Sequence, residues 1–172
     1  MTLDLRSYVR DVEDFPIPGI LFRDITPLLA DGGAFREAVR LMCDPWRDAG
    51  VEMVAAMEAR GFMFAAPMAL ELGVGFVPIR KQGKLPGATR SVTYTLEYRS
   101  DTLEIHEDAI RPGQKVLVVD DVVATGGTAK AVVELMEQLG GDVLGVQFLI
   151  ELADLGGRAL LEGSDVRSVI TY

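Results

Sequence analysis

Short apolar runs alternate along the chain with longer stretches in which apolar residues recur at helical spacing. The short runs predict buried β-strands at residues 51–56, 75–79, 116–119, 143–150 and 166–170. Helical spacing covers residues 34–49, 61–72 and 128–139, and we expect Pro45 to break or kink the first of these helices. Because β-branched strands that alternate with helices are typical of parallel strands covered on both faces, the pattern predicts an α/β fold with a doubly wound, mainly parallel sheet flanked by helices.

Two segments depart from this alternation. Residues 15–29 are rich in proline and contain one Arg-Asp pair, in the sequence FPIPGILFRDITPLL. Residues 81–107 are polar, and their alternating stretches SVTYTLEY and TLEIH predict an antiparallel hairpin. Since excursions from an α/β core are where ligand contacts and lids usually lie, both segments are candidates for a functional site.

The bulk composition narrows the function. A chain of 172 residues is long enough for a single domain, predicted over residues 1–172, and too short for two ordinary ones. The net charge of −9 argues against binding to nucleic acid or to an anionic membrane, although a local basic pocket could still hold a small anion. One cysteine, no signal peptide and no apolar run of membrane-spanning length predict a cytoplasmic protein without a disulfide framework.

The stretch VLVVDDVVATGGT combines a buried strand, two acids and a glycine-rich turn. In an open parallel sheet ligands bind beyond the carboxyl ends of the strands, which is where we expect Asp120 and Asp121 to lie. The following turn leads into a helix, whose first N–H groups are unpaired and suit a phosphate. The turn offers backbone freedom and hydroxyl donors without a lysine, and it matches neither the Walker nor the dinucleotide pattern.

The two acids suggest what accompanies the phosphate. Carboxylates accept hydrogen bonds from sugar hydroxyls and can anchor magnesium directly or through water. Asp120 and Asp121 next to a phosphate turn therefore predict a phosphorylated sugar as ligand, and their divergent directions predict different roles. Each feature alone could be an ordinary strand exit or an ordinary turn, but their combination after an apolar strand favours the functional interpretation.

These residues resemble a known family. VLVVDDVVATGGT is similar to the phosphoribosyl-pyrophosphate signature of type I phosphoribosyltransferases. In addition, the chain contains, in the order found in adenine phosphoribosyltransferases, FPIPGILFRDITPLL, EARGF, IRKQGKLPG and YTLEY. The resemblance extends from about Phe15 to the last strand. It implies an enzyme of purine salvage that transfers ribose 5-phosphate from phosphoribosyl pyrophosphate to N9 of adenine, giving AMP and pyrophosphate with Mg²⁺, usually as a homodimer.

The resemblance also implies roles for individual residues. Asp120 and Asp121 would contact the ribose hydroxyls, with Mg²⁺ held mainly by the substrate and through water by one of these acids. Arg60 would bind the diphosphate from a loop that begins with Glu58 and Ala59, in which the family has a non-proline cis peptide. The 5-phosphate would be bound by Ala124, Thr125, Gly126, Gly127 and Thr128.

Further implied roles fall in the two irregular segments. About residues 1–30 would form a small N-terminal hood, in which Leu21, Phe22 and Arg23 bind adenine. About residues 81–107 would form a flexible catalytic loop, in which Glu97 manages the adenine proton and Tyr98 closes over the site. Arg80, Lys81 and Lys84 would be binding residues in IRKQGKLPG, the run that leads into this loop. Family members often have glycine after LEY, whereas this chain has Arg99, which bears on the mobility of the loop.

Two alternatives remain open from the sequence. One is a phosphoribosyltransferase for another base, such as xanthine, hypoxanthine or orotate, although FPIPGILFRD favours adenine. The other is a non-catalytic sensor of phosphoribosyl pyrophosphate with the same fold. We expect such a sensor to add a nucleic-acid-binding module or a basic face, and this chain has neither the length nor the charge for one.

Overall fold

The computed structural model describes residues 3–96 and 99–172. They fall into two compact units, one that ends at Leu41 and one that begins at Met42. The first unit opens with a short 3-10 helix, Leu5–Tyr8, and continues with strands β1 (Arg10–Val12) and β2 (Phe22–Asp24), which pair antiparallel. Helix α1 (Thr26–Ala30) follows, and helix α2 (Gly32–Cys43) begins in this unit.

Both helices of the first unit begin at residues suited to a helix start. Asp24 accepts a hydrogen bond from the Thr26 N–H at 2.9 Å, and Pro27 occupies the first turn of α1, where its missing N–H is no loss. Asp31 then accepts from the N–H groups of Gly33 and Ala34, which would otherwise be unpaired at the start of α2.

The second unit is built on a seven-stranded sheet. Its strands are β3 (Met53–Met57), β4 (Gly75–Lys81), β5 (Thr89–Leu96), β6 (Arg99–His106), β7 (Lys115–Val123), β8 (Asp142–Glu151) and β9 (Val166–Thr171). They lie in the order β5-β6-β4-β3-β7-β8-β9. The four pairs from β4 to β9 are parallel, whereas β6 pairs antiparallel with both β4 and β5. The mainly parallel α/β sheet and its hairpin are thus confirmed.

Two long helices make the parallel connections next to the centre of the sheet. Helix α3 (Arg60–Leu72) joins β3 to β4 and ends at Gly73, as its pattern predicts. Helix α4 (Gly127–Gln138) joins β7 to β8. Among the described residues, no helix combines the length and the apolar character needed to cross a bilayer.

The core explains why the strand signals are apolar runs rather than alternations. From Gly145 to Glu151 every residue of β8 is buried, and β7 is buried over most of its length. Because both faces of these strands are covered, apolar side chains such as Phe148 and Leu149 are needed on each face. Burying one such side chain contributes about 1.5–3 kcal/mol to stability.

Two predicted boundaries are wrong in detail. The helix predicted over residues 34–49 ends at Cys43, because Pro45 cannot continue it, and a 3-10 turn at Asp44–Trp46 follows. Trp46 then donates a 2.8 Å hydrogen bond to buried Gln147. Cys43 itself is fully buried, and this burial raises the pKa of its thiol to about 12, which fits a small core residue.

The second error concerns the strand predicted over residues 116–119. The two acids interrupt the apolar pattern, yet β7 continues to Val123, because Val122 and Val123 stay in register with Ile150 and Glu151 of β8. Asp120 and Asp121 therefore lie within β7, near its carboxyl end, and not beyond that end.

Candidate active site

Two chain segments meet at the carboxyl ends of neighbouring strands in the second unit. Because β3 and β7 are parallel and adjacent, the loop after β3 and the turn after β7 leave the sheet side by side. Between them lies a cleft of about 210 Å³, lined by residues 57–60 and 120–129. The cleft thus brings together the two predicted anion-binding segments and the acid pair.

The turn after β7 offers backbone donors and hydroxyls. Gly126 has φ of +84°, a left-handed conformation that side chains disfavour, and it immediately precedes helix α4. The first turn of α4 contains no acidic residue, so its unpaired N–H groups and the helix dipole are available to an anion. Thr128 is close to the hairpin, with its Oγ1 3.4 Å from the hydroxyl of Tyr94 on β5.

The two acids of β7 have different partners. Asp121 lies 3.1 Å from Nε of Arg60, measured from Oδ2, and its side chain is only 5% exposed. Oδ1 of Asp120 accepts a 2.8 Å hydrogen bond from the Asp121 N–H. This geometry agrees with the prediction that the two carboxylates do different work.

Burial dominates the electrostatics of this pair. Desolvation raises the pKa of Asp120 well above its ordinary range, and the neighbouring charge of Asp121 adds to the effect. Desolvation also raises the pKa of Asp121, although the Arg60 guanidinium opposes that shift. A cationic or hydroxyl-bearing ligand would favour the charged form of both groups.

The loop after β3 has a tightly constrained backbone. The peptide between Glu58 and Ala59 is cis, which is the feature that the resemblance implies for this loop. Helix α3 begins at Arg60 directly afterwards. A Cβ atom on Gly61 would lie 3.0 Å from Oδ1 of Asp120 and 3.3 Å from the Val119 carbonyl oxygen, so a residue without a side chain lets the loop approach the acid pair.

Glu58 is the anionic centre of a small cationic cluster. Its Oε1 accepts a 2.8 Å hydrogen bond from the Lys81 N–H and lies 3.4 Å from Arg80 Nε, while its Oε2 lies 3.7 Å from Lys84 Nζ. Burial alone would raise the pKa of Glu58, but the Lys81 N–H and the two cations outweigh it, so the pKa is lowered. The structure thus brings Arg80 and Lys84 to the loop.

Unlike Arg80 and Lys84, Lys81 contacts Glu58 through its backbone and not through its side chain. Its ammonium group lies 3.4 Å from Asp101 of β6, so the side chain pairs with the hairpin and only the backbone N–H faces Glu58. Among the described residues, the buried Nε of Arg80 has no hydrogen bond of good geometry, although Glu58 is within ion-pair distance.

The residues predicted to bind the base lie in the first unit. Phe22 is on β2, where its ring packs edge-on against Phe15 with centroids 5.1 Å apart. Arg23 forms an ion pair with Asp11, and Leu21 is 42% exposed. These positions are compatible with a base-binding segment, and the role stays a prediction.

Glu97 and Tyr98 lie outside the described residues, between the end of β5 at Leu96 and the start of β6 at Arg99. Their predicted roles therefore rest on the sequence. The hairpin that flanks them is confirmed, since all eight residues of β5 pair with β6.

Sequence reasoning missed two residues that contact the turn. Tyr94 is one, and the second is Gly157, whose backbone touches the turn directly. The alternating pattern of the hairpin does not predict that Tyr94 contacts Thr128. For Gly157 the Gly-Gly pair at 156–157 marks a turn, but contact with a segment about thirty positions earlier is a tertiary feature.

Comparison with known proteins agrees with this geometry. The model of the family described as "Phosphoribosyl transferase domain" matches residues 28–167. The chain therefore belongs to the phosphoribosyltransferase family, and its mainly parallel sheet flanked by helices is the fold that the resemblance predicts.

Individual relatives identify the group within that family. The adenine phosphoribosyltransferase of Symbiobacterium thermophilum is 56% identical over 170 residues, which cover 99% of this chain and 100% of the relative. The crystal structure of the enzyme from Thermoanaerobacter pseudethanolicus is 49% identical, covers 98% of both chains and has a TM-score of 0.95. That of Saccharomyces cerevisiae, solved with adenine and an imino-altritol bisphosphate, is 40% identical over 96% of both chains, with a TM-score of 0.91. The protein groups with the adenine phosphoribosyltransferases along its whole length.

Proposed function

We propose that the protein transfers ribose 5-phosphate from phosphoribosyl pyrophosphate to N9 of adenine and releases AMP and pyrophosphate. The observation that supports this most is the single cleft that brings the glycine-rich turn, the acid pair and Arg60 together. We assign the turn to the phosphate, the acid pair to the diol of the ribose and Arg60 to the diphosphate. The AMP product assigns the enzyme to purine salvage, and we place it in the cytoplasm.

The proposed chemistry follows from the charges that develop. Cleavage of the bond between C1 of the ribose and the pyrophosphate leaves positive charge on the ring and negative charge on the leaving group. Asp120 and Asp121 line the cleft, and in the proposed reaction they would accept hydrogen bonds from the ribose hydroxyls and favour a cationic ring. Arg60, together with Arg80 and Lys84, would stabilise the departing diphosphate.

Residues 124–128 would hold the 5-phosphate through N–H groups and the hydroxyls of Thr125 and Thr128. A phosphate held at one end and a diphosphate held at the other fix the sugar between them, which orients C1 for attack. The absence of a lysine in the turn leaves the position of the phosphate to backbone geometry.

Magnesium fits the site as an ion that the substrate carries in. Within residues 3–96 and 99–172 no group of three or more His, Cys, Asp or Glu side chains is arranged as a metal cage. Asp120 and Asp121 are two hard oxygen donors in the cleft, and Mg²⁺ usually combines one or two carboxylates with substrate phosphates and water. When bound, the ion would neutralise charge on the diphosphate.

The base is proposed to bind against Leu21, Phe22 and Arg23, with Glu97 managing the N9 proton. A carboxylate that assists a proton transfer typically contributes about 10²–10⁴-fold to the rate. We therefore expect Glu97→Gln to lower kcat by that factor and to leave the affinity for phosphoribosyl pyrophosphate nearly unchanged. A Glu97→Gln enzyme with full activity would remove this residue from the mechanism.

The proposed function is tested by offering one base at a time. Purified protein is incubated with Mg²⁺ and phosphoribosyl pyrophosphate, and with adenine, hypoxanthine, guanine, xanthine or orotate, and the nucleotide is separated by chromatography. AMP from adenine alone is the expected result. A product from another base would overturn the base assignment but not the site. Tight binding of phosphoribosyl pyrophosphate without any product would indicate a sensor.

We also propose a homodimer, supported by apolar side chains on the outside of the helix that follows the diphosphate loop. Leu70 is 83% exposed on α3, and Met63 on the same helix is 39% exposed. A second copy would remove this surface from water. Sedimentation that shows only a monomer at micromolar concentration would contradict the proposal.

A further inference from the structure

The segment Gly156–Gly157, at the start of a short 3-10 helix (Gly157–Leu161), contacts the phosphate turn through backbone alone. A Cβ atom on Gly157 would overlap the carbonyl oxygen of Ala124 and lie 2.8 Å from the nitrogen of Gly126. From the other side, a Cβ on Gly126 would overlap the carbonyl oxygen of Gly157 and lie 3.0 Å from its carbonyl carbon. Two main-chain segments therefore touch with no room for even a methyl group between them.

The segment behind the turn is held firmly by the residue that follows. Arg158 donates from Nε to Oε1 of Glu151 at 2.9 Å and also donates to the carbonyl oxygen of Val166. Glu151 is the last residue of β8 and Val166 the first of β9, and Glu151 also accepts a 2.7 Å hydrogen bond from Ser168. One guanidinium group thus ties Gly157 to the two strands that end the sheet.

We propose that Gly157 is a positioning residue for the 5-phosphate. Because Gly157 has no side chain, the turn at Ala124–Gly126 packs directly against its backbone, and Arg158 holds Gly157 in that position. The inference rests on the proposed function, because it takes the turn as the phosphate site. Main-chain atoms cannot rotate out of the way as a side chain does, so a methyl group at position 157 displaces the turn. Hydrogen bonds from its N–H groups weaken with distance and misalignment.

The effect should be confined to one end of the substrate. The diphosphate is assigned to Arg60 and to Glu58 with its cationic neighbours, which lie after β3 and at the end of β4, whereas Gly157 contacts the turn after β7. A displaced turn should weaken binding of 5-phosphorylated ligands and leave pyrophosphate binding as it is. A loss of overall stability would lower both affinities together.

The neighbouring glycine provides a matched control. Gly156 has φ of +65°, so Gly156→Ala is strained in its backbone, but a Cβ there meets nothing within 4 Å. Gly157→Ala adds the same methyl group one position later, against the turn. The two variants separate backbone strain in the segment from contact with the phosphate turn.

The experiment measures the affinities of wild type, Gly157→Ala and Gly156→Ala for AMP and for pyrophosphate with Mg²⁺ by calorimetry, with thermal melts alongside. Gly157→Ala is expected to lose at least about tenfold in AMP affinity and to keep its pyrophosphate affinity within about twofold, while Gly156→Ala keeps both within about twofold. Equal losses for both ligands, equal losses in both variants, or an unchanged AMP affinity in Gly157→Ala would overturn the inference.

A second variant keeps the test valid if Gly157→Ala does not fold. Arg158→Ala removes the anchor without inserting an atom at the turn, and it should weaken AMP binding by about three- to tenfold with pyrophosphate binding unchanged. Unchanged AMP affinity in Arg158→Ala would overturn the inference. Failure of the proposed function is distinguishable, since a wild-type protein that neither binds nor produces AMP would reveal it before any variant is made.

Discussion

The two segments of the cleft that we propose as anion-binding sites differ in the groups that they offer to an anion. The turn after β7 contains no charged side chain between Ala124 and Thr128 and offers N–H groups, hydroxyls and a helix start. The loop after β3 is surrounded by charge: Arg60 is paired with Asp121, and Arg80 and Lys84 lie around Glu58. Backbone donors stay where the fold places them, whereas charged side chains must be held by partners until the ligand arrives.

The two segments would therefore have different roles in the proposed reaction. The 5-phosphate keeps its charge throughout the proposed reaction, so a preorganised neutral site is sufficient to anchor it. The diphosphate gains negative charge as it leaves, so nearby cations stabilise the transition state more than the bound substrate. Variants that change charge should therefore affect the rate, and variants that move backbone should affect the affinity for the 5-phosphate.

The largest effect is expected for Arg60→Ala. Removing a single preorganised group that stabilises developing negative charge typically lowers kcat by about 10²–10³-fold, and we expect a loss of this size with AMP affinity nearly unchanged. Steady-state kinetics and AMP titration measure the two quantities. The control Arg111→Ala removes an exposed arginine that precedes the amino end of β7. A modest loss in Arg60→Ala, similar to that of the control, would refute the role of Arg60.

A smaller effect should separate the two acids. Asp121→Asn removes the charge that pairs with Arg60, and leaving one member of a charged pair without its partner costs about 1–3 kcal/mol, so kcat/KM for phosphoribosyl pyrophosphate should fall by about 10–100-fold. Asp120→Asn should cost less, because burial already disfavours the ionised form and the amide oxygen can still accept the Asp121 N–H. Equal losses in the two variants would contradict the different roles.

Glu58→Gln tests whether the Glu58 carboxylate competes with pyrophosphate for Arg80 and Lys84. The amide can still accept the Lys81 N–H, but it no longer neutralises Arg80 and Lys84, so pyrophosphate should bind tighter by about three- to tenfold, with a steeper dependence on salt. The control is Glu52→Gln, since Glu52 accepts the Lys115 N–H at 2.8 Å just before β3, at the amino end of that strand. Weaker pyrophosphate binding in Glu58→Gln would show that the carboxylate supports the site instead.

The smallest predicted effect is on stability at acidic pH. Arg158 and Ser168 lower the pKa of Glu151 below its ordinary value of 4.5, against the opposing effect of burial. Because the pKa is lower in the folded protein than in the unfolded chain, the stabilisation is present above pH 4.5 and is lost as the pH falls through the folded pKa.

Glu151→Gln should therefore flatten the fall of the melting temperature below pH 4.5 relative to wild type. The change in the free energy of unfolding should be about 1 kcal/mol, since the partner Arg158 is 46% exposed and solvent screens the pair. Exposed Glu137 on α4 supplies the control Glu137→Gln. Identical pH profiles for wild type and Glu151→Gln would rule out this contribution.

The strands and helices could be predicted because their signals are local. The buried runs and the helix ending at Gly73 follow from period and apolar content, and the hairpin follows from alternation. The strand end after Val119 could not be predicted, because the acids that break the pattern are kept in register by pairing with β8. Pro45 predicts either a break or a kink in the helix over residues 34–49, and the structure shows a break, with the helix ending at Cys43.

The candidate site shows the same limit. The acids and the turn form one continuous motif, so their proximity was predictable. The pairing of Glu58 with Arg80 and Lys84 joins residues more than twenty positions apart, and the contact of Gly157 with Gly126 spans a strand and a helix. Such contacts depend on how the chain returns to the sheet, which no local pattern encodes.

The central claim is that the turn holds the 5-phosphate and the loop holds the diphosphate. A crystal structure of the protein with AMP, pyrophosphate and Mg²⁺ tests this most directly. We predict the AMP phosphate within hydrogen-bond distance of the N–H groups of residues 126–128, and the pyrophosphate against the Arg60 guanidinium. An AMP phosphate bound at the Glu58–Arg60 loop, or outside the cleft altogether, would contradict the account.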